Sequence, residues 1–385
     1  MNFEQTDRIA EALGFTISRS EREAFRGELE DMFDGLDELD AHTDDVSRPP
    51  VGEPVDDPYN AIRHRCNVTA DTTGPLSGYR FGIKDNISVA GTPLDCGSTA
   101  LSVASSRNAT AVDRLLDAGG EITCKTNMDE FAGSVRGTTS AHGPVRNPHD
   151  TERTAGGSSG GSAVAVATDA VDLALGTDTG GSVRIPASFC GVFGLKPTYG
   201  RIPLSGIVEH TYLCDHVGII GDSIDDIWLA LSSLAGPDDQ DPLSQAITTH
   251  EAYEPLAHQD EEVRFNRSPE TLTVGVVTGL DQLQQPVRDV FDRVVDRLDD
   301  RNYNHTRVGF GDVDRFAPPH KVLSMCSLAA YWRSNGVSYR RGGVSDSELT
   351  AGIAQTKSEG SANQLSTYVK AKLVAGELLN RQEGG

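Results

Sequence analysis

Residues 154–186 read TAGGSSGGSAVAVATDAVDLALGTDTGGSVRIP. No other stretch restricts the fold as strongly. SAVAVA carries no charge on any face and reads as a buried helix. DLALG is short and mostly apolar and reads as a buried strand. Serine-bearing glycine clusters stand at the entrance to the helix and just after the strand. A flexible Gly/Ser linker would not lead straight into an apolar helix, which argues against a linker at 156–162.

The flanks supply the rest of an α/β layer structure. YRFGIKDNISVAG reads as a strand entering a loop. ATAVDRLLDAGG is an amphipathic helix with Val112, Leu115 and Leu116 on one face and Gly119 as its stop. EITCKT follows as a short strand. Further on, TLTVGVVTG predicts a strand and QPVRDVFDRVVDRLDD a helix, with Pro286 suited to its first turn. Val287, Val290, Phe291, Val294, Val295 and Leu298 form one stripe of that helix. Thr306 to Val308 suggest another strand, and the polar tail from Ser345 reads as helical. Residues 1–40 predict helices, with Phe25, Leu29, Met32, Phe33 and Leu36 recurring at three and four. Residues 41–60 are acidic and Pro-rich and read as an arm, leaving 61–385 as the main domain. No fixed-period repeat is visible, which excludes solenoids and propellers.

The net charge is -23, from 57 acids against 34 bases. Such a surface repels phosphate backbones and argues against direct nucleic-acid binding. Spread along the chain, it also fits a halophilic source, because high salt screens the self-repulsion. Cys66, Cys96, Cys124, Cys190, Cys214 and Cys326 show neither CxxC pairs nor Cys/His ligand spacing, so reduced packing cysteines rather than a structural zinc site are expected. The N-terminus lacks a basic region followed by an apolar run, and no stretch approaches transmembrane length. The expected location is cytoplasmic, away from membranes.

Three segments carry candidate chemistry. GGSSGGS at 156–162 lacks the lysine of a phosphate-binding loop. It also matches G-x-S-x-G with Ser159 as nucleophile, but loop-like residues rather than a strand precede it. GTDTGGSVRIP at 176–186 can turn several backbone N–H groups into one concavity beside Ser182, an arrangement suited to an oxyanion. Taken alone, it is equally a glycine turn after a strand. A serine needs a base, and no histidine has a triad-like context; His142 and His149 read as loop residues. Lys84 in GIKDN, if desolvated, could be neutral and accept a proton, although an isolated lysine is more often on the surface.

Together these segments resemble the amidase signature enzymes. The matching residues are GIKDN with Lys84, KTNMDEF at 125–131, GPVRNP at 143–148, GGSSGGSA at 156–163, LGTDTGGSVRIPASFCGVFGLKPTYGR at 175–201 and DHVG at 215–218. Ser158 and Ser182 stand 24 residues apart, as in the family. The likeness is strong over 75–235 and weaker over 270–380. It implies a large mixed twisted β-sheet covered by α-helices on both faces. It also implies a Ser-cisSer-Lys triad, with Ser182 as nucleophile, Ser158 as the cis-peptide relay and Lys84 as base. Thr179, Gly180 and Gly181 would offer oxyanion donors, and Ala132 would present backbone to the substrate. Asp178, Arg184 and Ser159 would support the nest, and the resemblance implies no metal and no cofactor.

The implied reaction is hydrolysis of a carboxylic acid amide through an acyl-serine. One alternative is the glutaminase component of a tRNA-dependent amidotransferase, which shares these motifs, KTNMDEF above all, and works with partner subunits. The other is an inactive remnant or scaffold. On this reading the chain is haloarchaeal and lacks the family's usual C-terminal segment, which leaves its activity open or calls for a partner chain. The family also includes homodimers. Segments 205–215 and 320–345 are expected to line the substrate pocket, with Phe316, Tyr331 and Trp332 as candidates, although such residues are more often core.

Overall fold

The computed structural model describes residues 57–211, 213–248, 273–279, 283–309, 311, 317–337, 347–358 and 360–382. All belong to the unit Arg48–Gly385. The expected N-terminal helices, most of the acidic arm and Phe316 lie outside the described residues.

In chain order the central elements are β1 (Ile62–Val68), β2 (Arg80–Lys84), α1 (Thr110–Asp117), β3 (Glu121–Thr126), α2 (Gly160–Ala167), β4 (Leu173–Asp178), α3 (Arg184–Cys190), β5 (Phe193–Leu195), β6 (His216–Gly221) and α4 (Ile224–Leu234). Six strands form one sheet in the order β1-β3-β2-β4-β6-β5. β2 runs parallel to both β3 and β4. The remaining pairs are antiparallel, so the sheet is mixed. Helical crossovers through α1 and α2 permit the parallel pairs at its centre.

Alternation along the strands sorts the core into two layers. Phe81, Ile83, Leu173, Leu175, Val217 and Ile219 pack with Val112, Leu115, Ile227 and Ala230 of α1 and α4. On the opposite face Cys124, Ala174 and Ile220 pack with Val164, Val166 and Ala187 of α2 and α3. α2 is buried from Gly160 through Val166. Its small, uncharged residues let it sit directly against the sheet on every side. Helices thus cover both faces, as the resemblance implied.

The second unit predicted from the sequence is present as β7 (Thr273–Thr278), α5 (Gln285–Asp300) and β8 (Asn304–Gly309), with β7 and β8 parallel. Its helical stripe is not covered by described residues: Val287, Val290 and Val294 are about half exposed and no residue of α5 is buried. Spacing decides which residues share a face; burial needs an element packed against that face, which two strands do not supply.

The polar tail forms α7 (Ser347–Ser358) and α8 (Thr367–Gln382), preceded by α6 (Ala317–Arg333). Leu328, Tyr331, Ile353 and Val369 from these helices, with Leu365 from the turn before α8, pack with Leu94, Leu101, Val103 and Phe131. Trp332 meets Phe131 edge-on at 5.4 Å between ring centroids. α6 and α8 touch through backbone, since a Cβ at Gly376 would run into the Met325 carbonyl. Gly376→Ala should therefore prise these helices apart. The expected cost is about 1–3 kcal/mol, read as a fall of a few degrees in Tm.

Candidate active site

β2 ends at Lys84 and β4 ends at Asp178, so two parallel neighbours deliver the base candidate and the glycine nest to one edge of the sheet. Lys84 is wholly buried. Its Nζ donates to Ser158 Oγ at 2.7 Å, to Thr177 Oγ1 at 2.8 Å and to the Thr177 carbonyl at 3.2 Å. Burial pulls its ammonium down to about 7, against the opposing fields of Asp129, Asp178 and Asp215. A lysine so placed is divided between its charged and neutral forms near neutral pH, and only the charged form can donate all three bonds at once. Ser158 follows a cis peptide bond with Gly157.

Ser182 enters α3 at the end of the nest and faces a cavity of about 500 Å³ together with Ala132, Thr179 and Gly180. Its carbonyl accepts the Ser159 amide at 3.0 Å, which ties the two serine clusters together through backbone. The Ser158 and Ser182 hydroxyls are not hydrogen-bonded to each other. The site therefore holds the Lys84–Ser158 link directly, while Ser182 is the serine that opens to the cavity.

Asp178 organises the nest. Its carboxylate accepts the Gly181 amide at 2.8 Å, the Val183 amide at 3.1 Å and two Arg184 guanidinium N–H groups at 2.9 Å. Burial alone would raise its pKa, but these donors hold it down to about 2. The Gly181 amide donates to Asp178, while Thr179, Gly180 and Ser182 line the cavity. Gly181 supplies the turn, at φ +112, which a side chain would strain. Thr179 is held by its hydroxyl on Asp215 Oδ1 at 2.5 Å. Asp215 also accepts the amides of His210 and Thr211 through its other oxygen.

Ser159 does not reach the cavity: its hydroxyl donates to the Thr177 carbonyl at 3.2 Å. The elbow reading with Ser159 as nucleophile therefore lacks an accessible hydroxyl. Other motif residues build the frame. Asp85 pairs with Lys125 at 2.9 Å, both fully buried. Asp129 accepts from Gly137 and Thr139, and Glu130 accepts the Ser98 hydroxyl and the Ser366 amide ahead of α8. Phe131 and Ala132 adopt positive φ, and Ala132 lines the cavity.

The expected pocket segments contribute His210, His320, Lys321, Ser324 and Met325. Tyr331 is instead core and Trp332 packs against it, because the face of α6 that carries them turns toward Phe131 rather than the cavity. Sequence reasoning missed Tyr368, Ala371, Lys372 and Ala375 of α8, which complete the wall. His210 and His320 fall within the expected segments, although neither was singled out by residue. His210 bonds the Phe131 carbonyl at 3.1 Å and Ser324 Oγ at 2.8 Å, and burial brings its pKa down to about 3. His320 Nε2 lies 3.3 Å from the Thr179 carbonyl, with its ring against Gly180. Their spacing in the chain carries no signal. Only the Lys372, Ala375 and Tyr368 repeat at three and four on a helix hinted at a shared face.

A buried lysine with a lowered pKa, a hydroxyl bonded to it, a serine open to the cavity and a glycine-rich turn can support acyl transfer. Among the described residues no cluster of His, Cys, Asp or Glu is suited to holding a metal ion.

Known proteins share this geometry's framework. The family profile described as Amidase matches residues 59–383. A glutamyl-tRNA(Gln) amidotransferase subunit of Natronomonas pharaonis is 36% identical over 323 residues, covering 82% of this chain and 74% of that protein. The solved structure of the corresponding subunit from Thermotoga maritima matches with a TM-score of 0.64 at 29% identity, over 84% of this chain and 68% of the other. Native peptide amidase from Stenotrophomonas maltophilia matches with a TM-score of 0.65 at 28% identity, over 79% of this chain. The matched stretch spans 62% of that peptide amidase.

Proposed function

The chain belongs to the amidase family, and from that premise we propose that it cleaves a carboxamide through an acyl-serine on Ser182. The observation that carries this reading is the buried Lys84 ammonium 2.7 Å from Ser158 Oγ, beside a cavity that Ser182 faces. Ser182 Oγ attacks the amide carbonyl, and its proton passes through Ser158 to neutral Lys84. The oxyanion forms against the amides of Thr179 and Gly180. The same relay returns the proton to the leaving nitrogen, the C–N bond breaks and ammonia departs. Water then releases the acid by the reverse path. Proton transfer by a positioned base is worth roughly 10²–10⁴ in rate, and each oxyanion donor a comparable factor. Ala132 would line the substrate with backbone, and Asp178, Arg184 and Ser159 would hold the nest rather than react.

Two settings fit this chemistry: a stand-alone amidase, or one component of an amidotransferase that frees ammonia from glutamine. The similarity to the amidotransferase subunits of Natronomonas pharaonis and Thermotoga maritima favours the second. The acidic composition fits work in high salt, so assays belong in molar salt. The test is a fluorophosphonate adduct located by peptide mass, followed by ammonia release from glutamine and simple amides, with and without co-expressed partner subunits. An adduct on Ser182 with ammonia release supports the reading. A folded protein that forms no adduct and releases no ammonia even with partners overturns it.

Asp178→Asn should separate support from chemistry. It leaves the nucleophile in place but weakens the clamp on Gly181, Val183 and Arg184. The expected result is a roughly 10²-fold lower kcat with KM little changed, and a Tm lower by several degrees. Steady-state kinetics and thermal melts read both.

A further inference from the structure

The glycine nest is not held by its own segment alone. Asp178 clamps the Gly181 and Val183 amides and the Arg184 side chain. None of those bonds touches the peptide unit between Thr179 and Gly180. The Thr179 hydroxyl is tied to Asp215, but that bond fixes a side chain and not the plane of the peptide. Among the described residues the partner recorded for this peptide is His320, whose Nε2 lies 3.3 Å from the Thr179 carbonyl. A carbonyl only accepts, so Nε2 carries the hydrogen and donates.

His320 stands in the first turn of α6, 141 residues after Thr179, and lines the cavity with Gly180 and Ser182. Its ring lies against the Gly180 backbone: a Cβ there would come within 2.8 Å of His320 Cε1. Among the described residues the only cis peptide bond is Gly157–Ser158, so the Thr179–Gly180 peptide is trans. In a planar trans peptide C=O and N–H point in opposite directions, and fixing the Thr179 oxygen fixes the direction of the Gly180 N–H. A peptide followed by two glycines turns over at little steric cost, so the local chain does not choose that plane by itself. A bond to the oxygen also polarises the peptide and strengthens its N–H as a donor. The Gly180 amide donates to no described residue.

We propose that His320 is a positioning residue of the oxyanion site: through the Thr179 carbonyl it sets the Gly180 N–H against the oxygen that becomes negative when Ser182 attacks. This proposal rests on the reading that an amide reacts at Ser182.

The experiment compares the wild type with His320→Phe, which keeps a ring beside Gly180 without the donor, and His320→Gln, whose side-chain amide can donate again. Propanamide hydrolysis gives kcat and KM. Ethylboronic acid adds to a serine hydroxyl and places a boron-bound oxygen where the oxyanion forms, so its calorimetric affinity reads the site without turnover. His320→Phe should lower kcat on the order of 10- to 100-fold with KM little changed, and weaken the boronate by a similar factor. His320→Gln should recover most of both. A kcat and a boronate affinity that both stay within about twofold of wild type in His320→Phe overturn the proposal. Equal losses in both variants, accompanied by a lower Tm, would mark a packing role alone and overturn it as well. If no amide is hydrolysed, boronate binding that depends on His320 still supports the positioning, and only the reaction assigned to Ser182 falls. Amide turnover that ignores His320 overturns the positioning and leaves the reaction standing.

Discussion

Ser182→Ala is expected to abolish fluorophosphonate labelling and to lower kcat/KM for amide cleavage by about 10⁴-fold or more. The size follows from covalent catalysis. Without Oγ no acyl-enzyme forms, and what remains is binding and oxyanion stabilisation. The fold should not notice the change. Ser182 contributes its carbonyl to the Ser159 amide, and alanine keeps that carbonyl. Its hydroxyl bonds neither Ser158 nor the Asp178 clamp, so Tm should stay within about a degree. Ser159→Ala provides the contrast. It removes a bond to the Thr177 carbonyl in the core and leaves the cavity-facing hydroxyl intact. If Ser159→Ala removed labelling and Ser182→Ala did not, the assignment of nucleophile would be wrong.

The second large effect concerns Lys84. The base must be neutral to take a proton, and burial holds it at about 7. kcat/KM should therefore rise with pH through about 7 and level off above it. Lys84→Met should remove that limb and cost roughly 10³-fold in rate or more. Stability follows from the same displacement. The folded value lies below the unfolded 10.5, so between about 7 and 10.5 the unfolded chain binds more protons. Stability linked to this group accordingly rises with pH across that window and is flat below it. At neutral pH the cost to the fold is on the order of 4 kcal/mol. Lys84→Met removes this cost but strands the hydroxyls of Ser158 and Thr177, which returns part of it. The net expectation is a less active protein of equal or higher Tm. A Tm that falls steeply, with an unchanged pH profile, would refute the role of Lys84 as a buried base.

Much of this was legible in residue order. The strand, helix and strand around EITCKT and SAVAVA follow from period and polarity, and 110–117 became a helix closed by Gly119 as its spacing dictated. Lys84, Ser158 and Ser182 were legible as candidates because glycine clusters and a lone motif lysine are local patterns. Hydrogen-bond commitments were not. That the Gly181 amide turns to Asp178, or that the Ser159 hydroxyl turns inward, depends on φ angles and on neighbours far along the chain.

The sequence by itself determined an α/β chain of this family with a lysine and two serines in glycine-rich turns. Local propensity, alternation and motif spacing are properties of short windows, and a short window contains them completely. The tertiary structure alone decided the environment that makes those groups chemical. Strands β2 and β4, about ninety residues apart in the chain, are neighbours in the sheet and bury the Lys84 ammonium against Ser158 and Thr177. Helix α8 brings Lys372 to a cavity shared with Ser182, 190 residues earlier. Desolvation and charge pairing act through space, and which residues share that space is fixed only when the layers pack.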